Sequence, residues 1–263
     1  MGDDHHNEFS PLGVRMKTAK RPRNLRRGIS AADLLVEIAN FDKEIQLVTL
    51  ATFTGLPRLE ERIRIRPGTK EVLRVAENLR SAVNSSYWSS LLIAELSNAA
   101  TENRLVAEAI YHDKRSTRDH EFKIPTKSLS VKKLDDLMQD LRDDSALAIH
   151  SKVRIKGGAT RHLPMMDFSC KPTPQSLRIV IKALKLMGQE KGAVVLSGKS
   201  FHYFGFQVLT EKGWREFLGR CLLLAPITDS RYIGHRLIDG ACSLRISPNH
   251  ASGVPKVVDI IWF

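Results

Sequence analysis

Apolar and polar positions alternate along this chain with two periods, near 3.6 in some stretches and near 2 in others, and the switches between them predict its elements. Ser30 is suited to cap a helix carrying Leu34, Leu35, Ile38 and Ala39, closed by Phe41-Asp42. Thr69 opens a second helical stretch through Val72, Leu73, Val75, Ala76 and Leu79. Helix is expected again from Tyr87 through Leu105, with Trp88, Leu91, Leu92, Ala94 and Leu96 on its apolar side. Around Val106 the period shortens to two. Residues 107–112 and 120–124 read as the strands of a hairpin joined by a polar stretch from Lys114 to Asp119, and Pro125 stops the second strand from running on as a central one.

The pattern then predicts a helix over Ser130 to Leu141, a strand over Ala146 to Ile155, a turn from Lys156 to Thr160, and a strand over Arg161 to Cys170 that delivers Asp167 near its far end. Thr173-Pro174 is a strong helix start, a capping hydroxyl followed by proline in the first turn, and Gly188 supplies the stop after Leu177, Val180, Ile181, Leu184 and Met187. A strand at Ala193 to Leu196 and a helix from Glu211 to Leu224 come next. Strand-like segments at Arg236 to Asp239 and Ser243 to Ser247, a polar loop from Pro248 to Pro255 and a last strand from Val257 to Phe263 complete the chain. Helices alternating with strand pairs predict an α+β fold with a mixed or antiparallel sheet. The expected organisation is a flexible basic arm over 1–28, an N-terminal helical region over 29–105, and a sheet-containing domain over 106–263.

Charge narrows the partners. The 263 residues carry 41 Lys plus Arg against 29 Asp plus Glu, a net charge of +12, which favours polyanions. The arm concentrates part of this charge in Arg15, Lys17, Lys20, Arg21, Arg23, Arg26 and Arg27, with few large apolar groups to order it. Arg21, Arg23, Arg26 and Arg27 are therefore candidate nucleic-acid contacts through phosphate, with a solvated tail as the plain alternative. No apolar run approaches a membrane span and no apolar signal core opens the chain, so the expectation is a soluble, cytoplasmic protein without a membrane partner. Cys170, Cys221 and Cys242 are odd in number and widely spaced, which argues against a disulfide framework or a zinc ribbon.

The candidate chemistry centres on Ser197-Gly198-Lys199-Ser200-Phe201-His202-Tyr203-Phe204-Gly205, a small, basic, His-bearing stretch between apolar strands. It is not a P-loop: five residues separate Gly192 from Gly198, and the residues after Ser200 are strand-like rather than helical. Asp167 lies about one strand-helix unit upstream and Asp239 about one unit downstream. Phosphoryl and nucleotidyl transfer needs acidic groups to hold divalent metal and cations to hold a triphosphate, since positioning and charge neutralisation supply most of the rate. Asp167 and Asp239 can supply the first; Lys199, His202 and Arg245 can supply the second. Each has a bland alternative: turn-capping aspartates, a packed histidine, a surface arginine.

In their order these parts resemble the catalytic domain of archaeo-eukaryotic primases and primase-polymerases. Leu163 to Ser169 is similar to that family's first motif, an apolar strand ending in an acidic pair, with Asp167 in the first acidic place. Ser197-Gly198-Lys199-Ser200-Phe201-His202 resembles its second motif. Asp239, Leu244-Arg245-Ile246-Ser247 and Lys256 resemble its third, an apolar strand ending in Asp followed by Leu-Arg and a basic residue. Asp119-His120-Glu121-Phe122 is a weaker likeness to an Arg-Glu-Phe segment. The likeness runs from about Tyr111 to Phe263, and order and spacing carry it rather than any one short motif.

The resemblance implies a primase-type (RRM-like) sheet flanked by helices, and a metal-dependent nucleotidyltransferase that makes primers from nucleoside triphosphates on a single-stranded template. It implies Mg2+ or Mn2+ held by the catalytic Asp167 and Asp239, nucleotide bound by Ser197, Lys199, His202 and Arg245, and a second replication subunit as a further partner. One departure matters: Ser169 stands where the family has its second carboxylate, and a neutral hydroxyl is a weak magnesium ligand. Either Asp259 or another carboxylate fills in, or the site works slowly, or the chain is a catalytically degenerate nucleic-acid- or nucleotide-binding subunit. An unrelated metal-dependent phosphodiesterase is a third reading.

Overall fold

A computed structural model describes residues 20–54, 69–83, 87–97, 120–249 and 252–262. The 107–112 strand of the expected hairpin, the helix beyond Ser97, and Arg15 and Lys17 lie outside these residues. No described helix is long and apolar enough to cross a membrane.

The described strands form two antiparallel sheets, and with the helices they make an α+β fold. The first sheet is built on β1 (Ile45–Thr54), which lies between β2 (His120–Pro125) and β3 (Ser145–Ile155); β3 also pairs β4 (Thr160–His162) and β8 (Ser243–Arg245). The second has the order β5 (Met165–Asp167), β7 (Phe201–Gly205), β6 (Lys191–Leu196), β9 (Lys256–Trp262). Around them are α1 (Ala31–Phe41), α2 (Thr69–Val83), α3 (Tyr87–Leu96), α4 (Val131–Gln139), α5 (Pro174–Leu186), α6 (Glu211–Leu222) and α7 (Ser230–Asp239).

Several expectations need correction. The region 29–105 is not purely helical, because β1 is a central strand whose Leu47 to Ala51 run suits burial between two neighbours. The 29–105 and 106–263 parts therefore share one sheet and one core. That core extends from Leu25 to Ile261, while Val72, Ala76, Leu91 and Ala94 form a small cluster of their own between α2 and α3. The arm also ends earlier than residue 28. Leu25 is buried, the Gly28 N–H donates to the Val257 carbonyl at 2.8 Å, and Arg27 pairs with Asp259 at 2.7 Å.

Local chemistry sets the element ends. Ser30 caps α1 in a reciprocal box with Asp33, a contribution of about 1 kcal/mol. Thr173 caps α5 and Pro174 occupies its first turn, as the sequence predicts. The expected strand over Arg161 to Cys170 is instead two, β4 in the first sheet and β5 in the second, because Leu163-Pro164 carries the chain across. Pro164 has no N–H for a ladder, and its carbonyl accepts from Gly205 N–H at 2.8 Å. Arg236 to Asp239 is the end of helix α7 rather than a strand, since Asp229 caps the start through Tyr232 N–H and Gly240 closes it at φ 67°.

Candidate functional site

The two sheets meet where β5, the β6–β7 turn and β8 come together. Asp167 is the last residue of β5 and lies across from His202 of β7, which in turn lies across from Val195 of β6. Paired residues share a sheet face. Asp167, His202 and Val195 therefore point one way, while Met166, Tyr203, Val194 and Asp259 belong to the other face. Asp259 is thus no substitute ligand; it is engaged with Arg27.

Asp167 Oδ1 accepts from Ser200 Oγ at 3.2 Å, and His202 Nε2 lies 3.6 Å away, too long for a hydrogen bond. Burial, and then the neighbouring Asp229 carboxylate, push the Asp167 pKa up to about 7, against a smaller opposing effect of Ser200. Burial, reinforced by the Arg245 charge, pushes His202 down to about 3. His202 is therefore a neutral imidazole at physiological pH and not the cation expected from sequence. Its Nδ1 is buried without a hydrogen-bond partner among the described residues.

Asp229 is the carboxylate that sequence reasoning missed. The segment Pro226 to Asp229 runs beside β5's end: Phe168 bridges Thr228, Ser169 N–H donates to the Ile227 carbonyl at 2.9 Å, and Asp229 N–H donates to the Asp167 carbonyl at 3.3 Å. The available signal was an apolar run, Leu222 to Leu224 and Ile227, ending in Thr228-Asp229 before a helix, which reads equally as an ordinary N-cap. Asp229 does cap α7, accepting from Tyr232 N–H at 3.0 Å.

Asp239 is not brought to Asp167. It closes the opposite end of α7, about 15 Å from Asp229 along the helix axis. There it pairs with Arg236 at 3.1 Å and lines a small polar cavity with Glu121, His150 and Ser243. Ser169, in the second acidic place of the first motif, donates its hydroxyl to the Pro226 and Ile227 carbonyls.

The cationic candidates divide as well. Lys199 is exposed at the tip of the turn. Ser197 braces that turn, its N–H and hydroxyl both donating to the Ser200 carbonyl, at 3.0 and 3.1 Å. Arg245 lies close by, but its guanidinium is engaged by oxygens of the protein itself, so it is not the open phosphate contact expected. Arg21 donates to the Leu25 carbonyl at 2.6 Å and Arg27 is paired with Asp259, whereas Arg23 and Arg26 are exposed.

A second polar cluster invites a hydrolytic reading and fails it. Ser151 Oγ lies 3.2 Å from His162 Nδ1, and His162 Nε2 lies 2.8 Å from Glu211. Ser151 is fully buried and already accepts from Cys242 N–H, while His162 is buried and stacks on Trp214, so these two are satisfied core groups tied to Glu211 at the surface.

Two adjacent carboxylates from different segments, one with a raised pKa, form a like-charge pair that a hard divalent cation would relieve. Magnesium takes one or two protein carboxylates and completes its octahedron with water and substrate phosphates, so Asp167 and Asp229 suit it chemically. No larger group of His, Cys, Asp and Glu suited to a metal occurs among the described residues.

Residues 125–258 match a family model described as AEP-like: Archaeo-eukaryotic primase 1D-like. No curated protein and no solved structure matches the chain.

Proposed function

Since the chain belongs to the archaeo-eukaryotic primase-like family through residues 125–258, we propose that it is a metal-dependent nucleotidyltransferase of primase or primase-polymerase type. Its substrates are nucleoside triphosphates, and its template is a single nucleic-acid strand held largely by phosphate contacts that weaken with salt. The observation that carries this reading is the convergence of Asp167 and Asp229 beside the basic β6–β7 turn.

In this reading Asp167 and Asp229 hold Mg2+ or Mn2+, which neutralises charge on the triphosphate. Ser200 orients Asp167 through its 3.2 Å hydrogen bond. Lys199 supplies the exposed positive charge at the phosphates, and neutral His202 offers a hydrogen-bonding edge rather than a charge. Arg23 and Arg26, with the rest of the basic N-terminal segment, contribute phosphate contacts to the template.

A second reading is favoured by Ser169. With its hydroxyl turned onto backbone carbonyls, the site has two carboxylates where a three-carboxylate site would have one more. In that case the protein is a nucleotide- or nucleic-acid-binding subunit that no longer synthesises, acting beside a catalytic replication partner.

Primer synthesis on a single-stranded template, assayed with magnesium and then manganese, separates the two. Active protein loses synthesis by at least 100-fold in Asp167→Ala and Asp229→Ala and stays within a few-fold in Asp239→Ala. Loss in Asp239→Ala with retention in Asp229→Ala would move the metal site to the other end of α7. Triphosphate binding without synthesis in either metal supports the degenerate reading.

A further inference from the structure

Arg245 belongs to β8 in the first sheet, yet its side chain ends at the β6–β7 turn of the second. Its Nη2 donates to the Ser197 carbonyl at 2.5 Å and to Ser252 Oγ at 2.8 Å. Its Nη1 donates to the Gly253 carbonyl at 3.1 Å and to the Ser247 carbonyl. Four oxygens thus converge on one planar fork, an arrangement that a lysine ammonium cannot reproduce. Ser252 continues the chain of contacts, donating to Asn249 Oδ1 at 2.9 Å.

The turn is built to accept this clamp. Gly198 has φ +116°, and a Cβ there would fall 2.6 Å from Ser252 Cβ, so turn and loop are in close contact without a side chain between them. Inside the turn, Ser197 N–H donates to the Ser200 carbonyl, and Ser200 donates to Asp167. A continuous set of polar contacts therefore runs from Ser252 and Gly253 through Arg245, Ser197 and Ser200 to Asp167.

We propose that Arg245 is a positioning residue: it ties the Ser197–Ser200 turn to Ser247, Ser252 and Gly253, so that Lys199 meets a polyphosphate from one fixed conformation, and it makes no phosphate contact of its own. An arriving phosphate would have to break existing charge-assisted hydrogen bonds to reach this guanidinium, whereas Lys199 is exposed beside it. The proposal rests on the proposed function, in which a nucleoside triphosphate binds at the turn.

The test is a double-mutant cycle on binding of a fluorescent nucleoside triphosphate with magnesium, joined to amide exchange of residues 197–200. Lys199→Ala and Arg245→Ala each weaken binding by about tenfold. The double variant is no more than about twofold weaker than Arg245→Ala, because a turn released from its clamp no longer presents Lys199. Arg245→Lys behaves like Arg245→Ala, and exchange at 197–200 accelerates at least tenfold in both while the melting temperature of the rest of the protein holds. Effects that multiply in the double variant, binding retained in Arg245→Lys, or unchanged exchange at the turn would each overturn the proposal. Should Arg245→Ala fail to fold, Arg245→Lys and Ser252→Ala carry the same comparison. Wild-type protein that binds no triphosphate removes the nucleotide reading, and with it the role of Lys199, while amide exchange still decides the clamp on its own.

Discussion

Asp167 costs the folded protein stability whenever it is ionised. Its pKa stands near 7 against an ordinary 3.8, so between these values the folded state holds a proton that the unfolded chain has released. The corresponding stabilisation is complete below about 3.8 and is lost as pH rises through about 7. Asp167→Asn removes the charge with little change of shape, so at pH 8 it should raise stability by about 2 kcal/mol, a discount from the full shift for the side chain's partial exposure. That is roughly 4–8 °C in melting temperature. At pH 3.5, below both the folded and the unfolded value, the difference should nearly vanish; calorimetry at the two pH values checks it. Ser169→Asp would complete an acidic pair on paper. Its carboxylate would meet the Pro226 and Ile227 carbonyls that now accept from the hydroxyl, so no gain in primer synthesis and a loss of about 1 kcal/mol in urea unfolding are expected.

At the scale of the element, α7 separates a capping role from a chemical one. Asparagine caps a helix about as well as aspartate, so Asp229→Asn should leave stability within about 0.5 kcal/mol while removing metal-dependent nucleotide binding. Asp229→Ala should lose both, with about 1 kcal/mol from the cap. Chemical denaturation and a magnesium-dependent binding assay measure the two effects separately. The same helix shows why parts of the site were hidden in the sequence. Leu237-Ile238 before Asp239 carries the apolar run of a strand end, and only Asp229 and Gly240 as caps reveal a helix, each too short a signal to outweigh it. Elements with strong punctuation were legible: α5 between Thr173-Pro174 and Gly188, and α1 behind Ser30. Strand β1 was not, because Ile45, Leu47, Val48, Leu50, Ala51 and Phe53 fit a period of two and one of 3.6 about equally well, and nothing local announces partners at residues 120–125 and 145–155. Asp167, Ser197 and Lys199 were singled out from local motifs, and the structure brings Asp167 to the turn that carries the other two. Asp229 needed the Phe168–Thr228 bridge, a pairing across sixty residues that leaves no trace in spacing.

Across the whole molecule, buried imidazoles set the acid limit. His162, His202 and His235 all have pKa values lowered chiefly by burial. Their folded-state values lie below the unfolded 6.5, so the stability that depends on their neutrality is present above pH 6.5 and is lost as pH falls from there toward about 3. The midpoint of urea unfolding should therefore fall between pH 6.5 and 4, and fall more steeply in Asp167→Asn, which lacks the opposing gain on protonation. The net charge of +12 adds self-repulsion in the same direction as carboxylates neutralise. The crossing at Leu163-Pro164 has one more consequence. Rungs of two different ladders stand there with only two residues between them, Trp214 stacked on His162 at one side and Trp262 closing β9 in the other sheet. Neither layer can melt while the other holds its neighbouring rung in place, so tryptophan fluorescence and far-ultraviolet dichroism should trace one coincident transition.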